Sequence, residues 1–317
     1  ETDLYSYVVN PYTKEAYFDF DLFKKHVALA QRIMDDIIDL ELEKIEKIIA
    51  KIDSDPESEE VKEAEKHLWE KIYKKSGQGR RTGVGITAEG DMLAAMGLRY
   101  GTEEATEFSE QVHKTIALEA YRSSVNMAKE RGAFAIYDSE REKNNPFINR
   151  LKEADPELYE EMKKYGRRNI ACLTIAPTGT TSLMTQTTSG IEPVFMPVYK
   201  RRRKVNPNDP QTHVDFVDET GDAFEEYIVF HHKFVEWMTV NGYDPTKRYT
   251  QEEIDKLVEK SPYYKATSND VDWLMKVKMQ GRIQKWVDHS ISVTINLPND
   301  VDEALVNRLY VEAWRSG

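Results

Sequence analysis

The amino-acid sequence predicts an α/β fold that is rich in helix. Residues 169–176 form a mostly apolar run, which is typical of a strand buried on both faces in a parallel sheet. Residues 290–297 alternate polar and apolar side chains, which is the pattern of a half-buried strand. Long segments with apolar residues at helical spacing lie before and between these two runs. Helices that join short strands are typical of α/β proteins.

The N-terminal part of the chain is predicted to contain a strand and two helices. Residues 4–9 are mainly apolar and aromatic and favour a strand, which Asn10-Pro11 ends. An amphipathic helix begins at Asp19 and ends at Asp53-Ser54-Asp55-Pro56. A highly charged helix follows to about Lys75, and we expect its charges to form a solvated face.

Glycines are frequent in residues 76–101. The segment 80–86 lacks the Gly-Lys-Ser/Thr ending of a Walker A loop, and it is not a complete Gly-x-Gly-x-x-Gly motif. It therefore predicts tight backbone packing that leads into a helix at 91–98. Residues 103–131 predict a long helix, with acidic residues in its first turn and Gly132 after its last.

The second half of the chain is predicted to be mainly helical. We expect a charged helix at 156–165, a long helix at 269–289 and a last helix that starts near Val301. A further helix is expected at 222–240, with an aromatic stripe that belongs to the core. Its members are Phe224, Tyr227, Phe230, Phe234 and Trp237. No internal repeat or low-complexity linker is present, so residues 1–317 are expected to form a single domain.

Charge and hydropathy exclude two classes of partner. The net charge of the 317 residues is −12, and a field of that sign repels nucleic acid. No apolar run is long enough to cross a bilayer, so we expect no membrane partner. Residues 201–204 are the one strongly basic run, Arg-Arg-Arg-Lys. We expect these side chains to pair with carboxylates or to line an entrance for an anionic nucleotide.

Cysteine and histidine usage argues against a metal site. Cys172 is the single cysteine, which excludes an intrachain disulfide and fits a cytoplasmic protein. It lies in a buried strand, where apolar surroundings should keep it inert. The seven histidines form no His-Glu-x-x-His motif, and we expect the adjacent His231 and His232 to be structural or surface residues.

The most informative segment is residues 174–192, where a buried strand ends and Pro177 breaks the ladder. Thr178-Gly179-Thr180-Thr181-Ser182 should then open a helix. Free backbone N–H groups, hydroxyl groups and the helix dipole meet there, as in a phosphate site. Gly179 would let the backbone approach an oxyanion closely. The same groups also suit a helix N-cap rich in serine and threonine, so the residues alone leave both interpretations open.

Several motifs resemble those of ribonucleotide reductase catalytic subunits. Ala176-Pro177-Thr178-Gly179-Thr180 followed by Ser189-Gly190-Ile191-Glu192-Pro193 resembles the signature of that family. Residues 80–87 resemble its Arg-Arg-x-Gly-x-Gly segment, and residues 284–298 resemble a helix and strand near the end of its barrel. The sequences of residues 185–190 and 199–207 are most similar to those of the adenosylcobalamin-dependent class.

The resemblance implies a fold and a function. The chain would be the C-terminal part of the family's ten-stranded α/β barrel, and its parent would reduce ribonucleoside diphosphates to deoxyribonucleotides by radical chemistry. Adenosylcobalamin would start the radical in the assembled enzyme. By position, the substrate's diphosphate would be held by Pro177, Thr178, Gly179, Thr180, Thr181 and Ser182. The residues implied to lie near the substrate pocket are Gly190, Ile191, Glu192 and Pro193.

The family's catalytic residues are missing from this sequence. No Asn-Pro-Cys-x-Glu loop and no reducing cysteine pair occur, so we assign no catalytic residue and expect the chain alone to be inactive. Because it does not begin with Met and stops where the family continues, we expect it to be one piece of a longer or split enzyme. Half a barrel would expose strand edges, which favours a complementing N-terminal half with the cysteines, in cis or as a separate chain, or a homodimer.

Two alternatives stay open at the level of sequence. The chain could belong to a large subunit that takes its radical from a separate metal-containing subunit. It could also be a non-catalytic module that binds nucleotides or assists assembly. The first differs from our hypothesis in needing a second protein rather than cobalamin, and the second in lacking the cysteine half altogether.

Overall fold

A computed structural model describes residues 1–205 and 213–317 of the chain. Asn206 and Pro207, the last two residues of the segment 199–207, lie outside the described residues. The described strands are β1 (Thr2–Asp3), β2 (Val8–Val9), β3 (Tyr17–Phe18), β4 (Ile86–Thr87), β5 (Val198–Lys204), β6 (Phe216–Val217) and β7 (Ala223–Phe230).

Helices dominate the described residues, as the sequence predicts. The first six are α1 (Phe20–Ile52), α2 (Glu59–Gly79), α3 (Glu89–Ala95), α4 (Glu103–Arg131), α5 (Ser139–Glu142) and α6 (Pro146–Ala154). The others are α7 (Pro156–Tyr165), α8 (Gly179–Thr185), α9 (His232–Val240), α10 (Gln251–Lys260), α11 (Trp273–Gln284) and α12 (Glu303–Ser316).

Four short segments lie side by side and run parallel. β1 pairs with β4, Val84 bridges to Leu173, and Ile175 bridges to Ile291. The order in space therefore follows the order in the chain, with helices in each crossover. The strand predicted at 169–176 is confirmed only in part, since the segment runs parallel to its neighbours but does not form a regular strand. Its backbone pairing consists of two isolated bridges, at Leu173 and at Ile175.

The long helices begin and end where their capping residues predict. The Asp19 side chain accepts a hydrogen bond from the Leu22 N–H at the start of α1. Thr102 caps α4 through the Ala105 N–H, and Gly132 ends this helix with φ of 86°. α4 carries much of the core, because one side of it is buried against α1, α7 and α11.

The glycine-rich segment packs as tightly as expected. A β-carbon on Gly85 would lie 2.5 Å from the Thr174 carbonyl oxygen of the neighbouring parallel segment. At Gly90 in α3, it would lie 2.9 Å from the Glu192 carbonyl oxygen. These two close approaches require glycine, and they bring residues 84–90 against the segment that carries the predicted site.

The predicted strand at 4–9 is wrong for its first four residues. Leu4–Tyr7 is a 3-10 turn, and only Val8–Val9 is a strand. The Asp3 side chain starts the turn, since it accepts hydrogen bonds from the Tyr5 N–H and the Ser6 hydroxyl. The turn buries Leu4, Tyr5 and Tyr7 together, which an alternating strand could not do.

The predicted helix at 222–240 is wrong in its first half, where residues 223–230 form β7. This strand pairs antiparallel with the basic strand β5 from Phe224 to Phe230. Glu225 and Glu226 thereby lie beside Arg203 and Arg202 across the ladder. Cross-strand ion pairs and aromatic residues favour a strand here. Phe224, Tyr227 and Phe230 therefore belong to the strand, and Phe234 and Trp237 to helix α9.

The predicted strand at 290–297 is also largely wrong, since only Ile291 makes a bridge. The Thr294 backbone is bonded to side chains instead of a neighbouring strand: its N–H donates to Glu192 and its carbonyl accepts from Lys276. The helix expected at 269–289 is shorter than predicted. It starts after Asp272, which caps the Met275 N–H, and it ends at Gln284.

Candidate functional site

The predicted phosphate loop follows directly after the parallel segment that ends at Ala176. Thr178 is the N-cap of α8 and adopts a left-handed conformation, with φ of 51°. Its side chain makes no hydrogen bond to the first turn of the helix. Instead, its hydroxyl oxygen accepts a hydrogen bond from the Gly190 N–H at 2.6 Å and lies 3.2 Å from that of Thr87. Thr178 therefore does not cap the first turn with its side chain.

The structure brings the two predicted segments together. The bond from Gly190 to Thr178 joins them at one end, and the Ser182 and Ser189 hydroxyls lie 2.7 Å apart at the other. Gly190 has φ of 46°, and a β-carbon there would lie 2.7 Å from the Ala176 carbonyl oxygen. Only glycine fits this contact. The chain after α8 thus returns against the start of the loop.

The start of α8 is open to solvent. Pro177, Gly179 and Thr180 are exposed, whereas Thr178 and Ser182 are buried. A β-carbon on Gly179 would meet no atom within 4 Å. Thr181 is half-buried. The first turn therefore presents backbone N–H groups and one exposed hydroxyl, that of Thr180, to free space.

The second predicted segment has a mixed role. Ile191 is buried in the main core, and its carbonyl accepts a hydrogen bond from the Tyr100 hydroxyl. Glu192 is held from two sides: one carboxylate oxygen accepts from the Thr294 N–H at 2.6 Å, and the other accepts from Lys276. Burial lowers the pKa of Lys276, although the charge of Glu192 acts in the opposite direction.

A cleft of about 470 Å³ lies beside α8. Three of the ten predicted site residues line it, namely Ser182, Glu192 and Pro193. The remaining predicted residues lie outside its wall. Its polar side also includes Thr187, Thr188, Ser189, His231, Ser268, Thr294 and Asn296. Its apolar side includes Leu183, Phe195, Met196, Tyr199 and Phe230.

A buried carboxylate that no sequence motif indicates supports the cleft wall. Asp91 in α3 is 0% exposed. Its oxygens accept hydrogen bonds from the Thr188 N–H at 2.7 Å and the Tyr263 hydroxyl at 2.8 Å. They also lie 2.9 and 3.0 Å from His231 Nε2. Asp91 and His231 are 140 positions apart, so no local sequence signal could have joined them.

The basic run of residues 201–204 lies on β5, next to the cleft residue Tyr199. Arg202 pairs with Glu226 at 2.6 Å, Arg203 with Glu225 at 2.6 Å, and Lys204 with Asp222 at 2.6 Å. The prediction that this run pairs with carboxylates is confirmed for these three of its four residues. A role as an entrance for an anionic nucleotide stays a prediction.

The single cysteine is remote from solvent. Cys172 is fully buried in the parallel segment, and burial together with the nearby charge of Asp288 raises the pKa of its thiol well above the usual range. Asp288 also accepts hydrogen bonds from the Cys172 and Leu173 N–H groups at 2.7 and 2.9 Å. This environment does not suit a reactive thiol.

One group of acidic residues has carboxylates as close together as in a metal site, namely Asp35, Asp36 and Asp39 on α1. Each of these carboxylates is paired with arginine. Asp35 and Asp39 bind Arg80 at 2.8 Å each, and Asp36 binds Arg131 at 2.6 Å. We therefore interpret the group as an ion-pair network.

No helix in the described part of the chain is long and apolar enough to span a membrane.

Residues 3–317 match the family model described as "Ribonucleotide reductase, barrel domain". The chain is 26% identical over 305 residues to the vitamin B12-dependent ribonucleoside-diphosphate reductase of Mycobacterium tuberculosis, covering 94% of this chain and 35% of that protein.

Two further relatives extend this similarity. The protein of the same name from Thermoplasma acidophilum is 27% identical over 293 residues, covering 92% of this chain and 31% of the relative. The ribonucleoside-diphosphate reductase subunit alpha of Chlamydia pneumoniae is 24% identical over 323 residues, covering 94% and 27%. The chain thus spans about a third of the length of these relatives.

Proposed function

The chain belongs to the ribonucleotide reductase barrel-domain family, and we propose that it supplies the loop that binds the substrate's diphosphate in a ribonucleoside-diphosphate reductase. The parent enzyme would convert ribonucleoside diphosphates to deoxyribonucleotides by radical chemistry. This chain would bind and orient the substrate, while catalytic cysteines would come from the part of the enzyme that the chain does not cover.

The observation that carries this proposal is the open first turn of α8. Its N-cap side chain is engaged with Gly190 and leaves the N–H groups of the turn without a cap. Gly179 leaves space above the backbone, and Thr180 offers an exposed hydroxyl. Backbone N–H groups at a helix start, with a glycine and hydroxyl groups, are suited to phosphate oxygens.

The second segment would support this loop rather than bind phosphate itself. Gly190 fixes the position of Thr178, and Ile191 anchors the segment in the core. Glu192 fastens it to Lys276 and Thr294. Pro193 lies in the wall of the neighbouring cleft. Pro177 would stop the preceding strand, and Thr181 and Ser182 would complete the first turn.

We assign the parent enzyme to the adenosylcobalamin-dependent class. Two relatives with 26% and 27% identity are named as vitamin B12-dependent, whereas the alpha subunit is 24% identical. The cofactor would supply the initiating radical. A corrin ring with its nucleotide tail is larger than the 470 Å³ cleft, so this cleft alone does not hold it. We therefore derive no step through it and expect it only in the assembled enzyme.

The four parallel segments fit one side of a ten-stranded α/β barrel. We propose that residues 1–317 form one incomplete barrel domain, completed by an N-terminal half with the cysteines or by a second copy. A cytoplasmic location stays a prediction from the sequence.

Two alternatives remain for the function. The parent could be a reductase of the class that depends on a metal-containing subunit, or the chain could be a non-catalytic module that binds nucleotides or assists assembly. The first would be active without cobalamin, and the second would lack the cysteine half in its native form.

The test is the affinity of the full-length native protein for cytidine diphosphate, with Thr180→Ala as the variant. Because Thr180 is exposed, its loss should leave the fold intact. Removing one hydrogen bond to a charged oxygen costs about 1.5–3 kcal/mol, so we expect the dissociation constant to rise at least about 10-fold. Thr115→Ala on α4, another helical threonine, is the control and should leave the affinity unchanged.

Ser182→Ala should act in the same direction. It also removes the hydrogen bond between Ser182 and Ser189, so its effect combines the loss of a ligand contact with a change in the position of the loop.

The outcome for Thr180→Ala decides the site assignment. Equal affinities of the native protein and Thr180→Ala, measured by calorimetry at the same pH and salt, would remove it.

A further inference from the structure

A second cavity, of about 580 Å³, lies where helices α4 and α11 begin, and we call it the α4–α11 pocket. Its walls come from residues 99–102, Lys265, residues 269–274 and Leu305 of α12. No residue lines both this pocket and the cleft beside α8. None of the ten predicted site residues lies in its walls, so the proposed function leaves the pocket without a role.

The floor of the α4–α11 pocket is apolar and closely packed. Tyr100 is buried, and its hydroxyl donates a hydrogen bond to the Ile191 carbonyl at 2.6 Å. A β-carbon on Gly101 would lie 2.7 Å from the Val271 side chain, so the two segments that form the pocket touch each other. The other apolar residues of the lining are Trp273, Leu274 and Leu305. The cavity therefore offers a preformed surface to an apolar group.

Two cationic side chains line the pocket without a carboxylate partner. Arg99 and Lys265 are both exposed there. No carboxylate among the described residues forms an ion pair with either of them. By contrast, Lys276 and Arg282 of helix α11 are both paired with glutamates. Arg99 and Lys265 therefore stay available to a negatively charged ligand, and the positive ends of the α4 and α11 dipoles add to their effect.

Trp273 contributes an unsatisfied donor to the wall of the pocket. Its indole Nε1 is the one buried side-chain nitrogen or oxygen that lacks a hydrogen-bond partner among the described residues. An indole N–H can only donate, so it needs an acceptor, and an unpaired buried donor costs free energy. Because Nε1 is covered, the ring would turn slightly to bring its N–H to a ligand in the pocket. The ligand must then carry an acceptor atom.

Two aspartates limit the charge that the pocket accepts. Asp270 accepts hydrogen bonds from the Thr267 N–H at 2.7 Å and the Thr267 hydroxyl at 2.6 Å. Asp272 accepts a hydrogen bond from the Met275 N–H at 3.1 Å. Their charges oppose those of the two unpaired cations, so a multiply charged anion would be repelled more strongly than a singly charged one. A carboxylate with one negative charge suits this balance.

From these observations we propose that the α4–α11 pocket binds a small organic monocarboxylate with an apolar body. The carboxylate would pair with Arg99 and Lys265 and accept a hydrogen bond from the indole N–H of Trp273. The apolar body would pack against the floor of the pocket. This proposal does not depend on the proposed diphosphate loop, because the two sites share no residue.

The first test uses two probes of the same shape. Phenylacetate carries one negative charge, and phenylacetamide is its neutral counterpart. Each is titrated at millimolar concentration into the full-length native protein by calorimetry, at the same pH and salt. Phenylacetate should bind saturably and phenylacetamide at least about 10-fold more weakly, since a charged acceptor makes the stronger hydrogen bonds. Equal binding of the two probes, or no saturable binding of phenylacetate, would overturn the proposal.

Variants locate the bound phenylacetate. Trp273→Phe removes the N–H and keeps an aromatic ring, so it should weaken phenylacetate about 10-fold. Arg99→Gln and Lys265→Gln should each weaken it about 3-fold, because each removes one exposed ion pair. Trp314→Phe and Lys278→Gln are the matched controls. Both residues are exposed and lie outside the pocket, so these variants should leave the affinity unchanged.

The pocket and the phosphate loop can fail separately. Thr180→Ala should leave the affinity for phenylacetate unchanged, and Trp273→Phe should leave the affinity for cytidine diphosphate unchanged. A thermal unfolding curve of each variant shows whether it is folded. An unchanged phenylacetate affinity in the folded Trp273→Phe, Arg99→Gln and Lys265→Gln variants would place the probe elsewhere and overturn the assignment of the pocket.

Discussion

Asp35 is the centre of the largest buried ion-pair network in the described part of the chain. Its fully buried carboxylate binds Arg80, Arg168 and Arg131, and it accepts a hydrogen bond from Asn169 at 2.9 Å. Burial alone would raise the pKa of Asp35, but the hydrogen bonds and charges of Arg80 and Arg168 outweigh it and lower this pKa. The network ties α1 to the start of two parallel segments.

We predict that Asp35→Asn lowers the free energy of unfolding by about 3 kcal/mol at neutral pH, since it removes the charge of a fully buried carboxylate that binds three arginines. The pKa of Asp35 is lower in the folded protein than in the unfolded chain. Its contribution is therefore complete at neutral pH and is lost as pH falls below about 4. Denaturant unfolding of both proteins across this pH range measures the difference.

The control for this prediction is the neighbouring residue on the same helix. Asp36 is half exposed and pairs with Arg131, so Asp36→Asn should cost less than about 1 kcal/mol. If the gap between the native protein and Asp35→Asn stayed constant down to low pH, the stabilising charge would have to lie elsewhere.

At the residue scale, the sequence predicts contacts that depend on neighbours in the chain. The loop at Thr178–Ser182 follows from a strand end, a proline and a run of hydroxyl residues. The partner of Thr178, which is Gly190, could not be derived from spacing. Asp91, His231 and Tyr263 come from three distant parts of the chain, and their common site depends on tertiary packing.

Helices α11 and α12 pack unusually closely at one glycine. A β-carbon on Gly281, inside α11, would lie 2.4 Å from the Ser316 β-carbon and 3.0 Å from the Ser316 carbonyl oxygen of α12. The two helices would have to move apart to admit a methyl group. This contact fixes the last helix against the part of the chain that positions Lys276 and Glu192.

We predict that Gly281→Ala lowers the free energy of unfolding by about 1–3 kcal/mol, because overpacking outweighs the better helix propensity of alanine. Gly77→Ala is the matched control. Gly77 also lies in a helix, but the nearest atom to its added β-carbon would be 3.9 Å away, on Leu42. That variant should gain about 0.5–1 kcal/mol. Equal effects of both substitutions in chemical denaturation would refute the close contact.

At the element scale, the elements whose bounds follow from local signals are predictable from the sequence, and those that depend on tertiary pairing are not. α4 was predicted with its observed bounds because acidic residues, an apolar face and Gly132 agree. Residues 223–230 were predicted as helix, because their aromatic spacing fits a helix, whereas pairing with the basic strand β5 decides their structure. The strand predicted at 290–297 failed for a related reason, since Lys276 and Glu192 take up its backbone groups.

At the scale of the whole molecule, the parallel segments form an open row. β1 lies at one edge and the Ile291 segment at the other, and no pairing between them occurs among the described residues. Open edges of parallel segments favour further pairing. Since the relatives are about three times longer than this chain, we propose that the rest of a barrel covers these edges.

Family membership could be predicted from the sequence more completely than the fold in detail. The motifs at 80–87, 176–193 and 284–298 predict the family that the comparison shows. They do not predict where the open cleft lies, because its walls combine residues 182–196 with parts of β5 and β7, residues 231–232, Ser268, Thr294 and Asn296. Such a surface exists only after these elements have packed.

The most direct test of the central claim is a crystal structure of the full-length native protein with a ribonucleoside diphosphate. The account predicts that the terminal phosphate lies within hydrogen-bond distance of the N–H groups of Gly179, Thr180 and Thr181. A phosphate bound at any other place, or an empty α8 loop at saturating ligand, would contradict it.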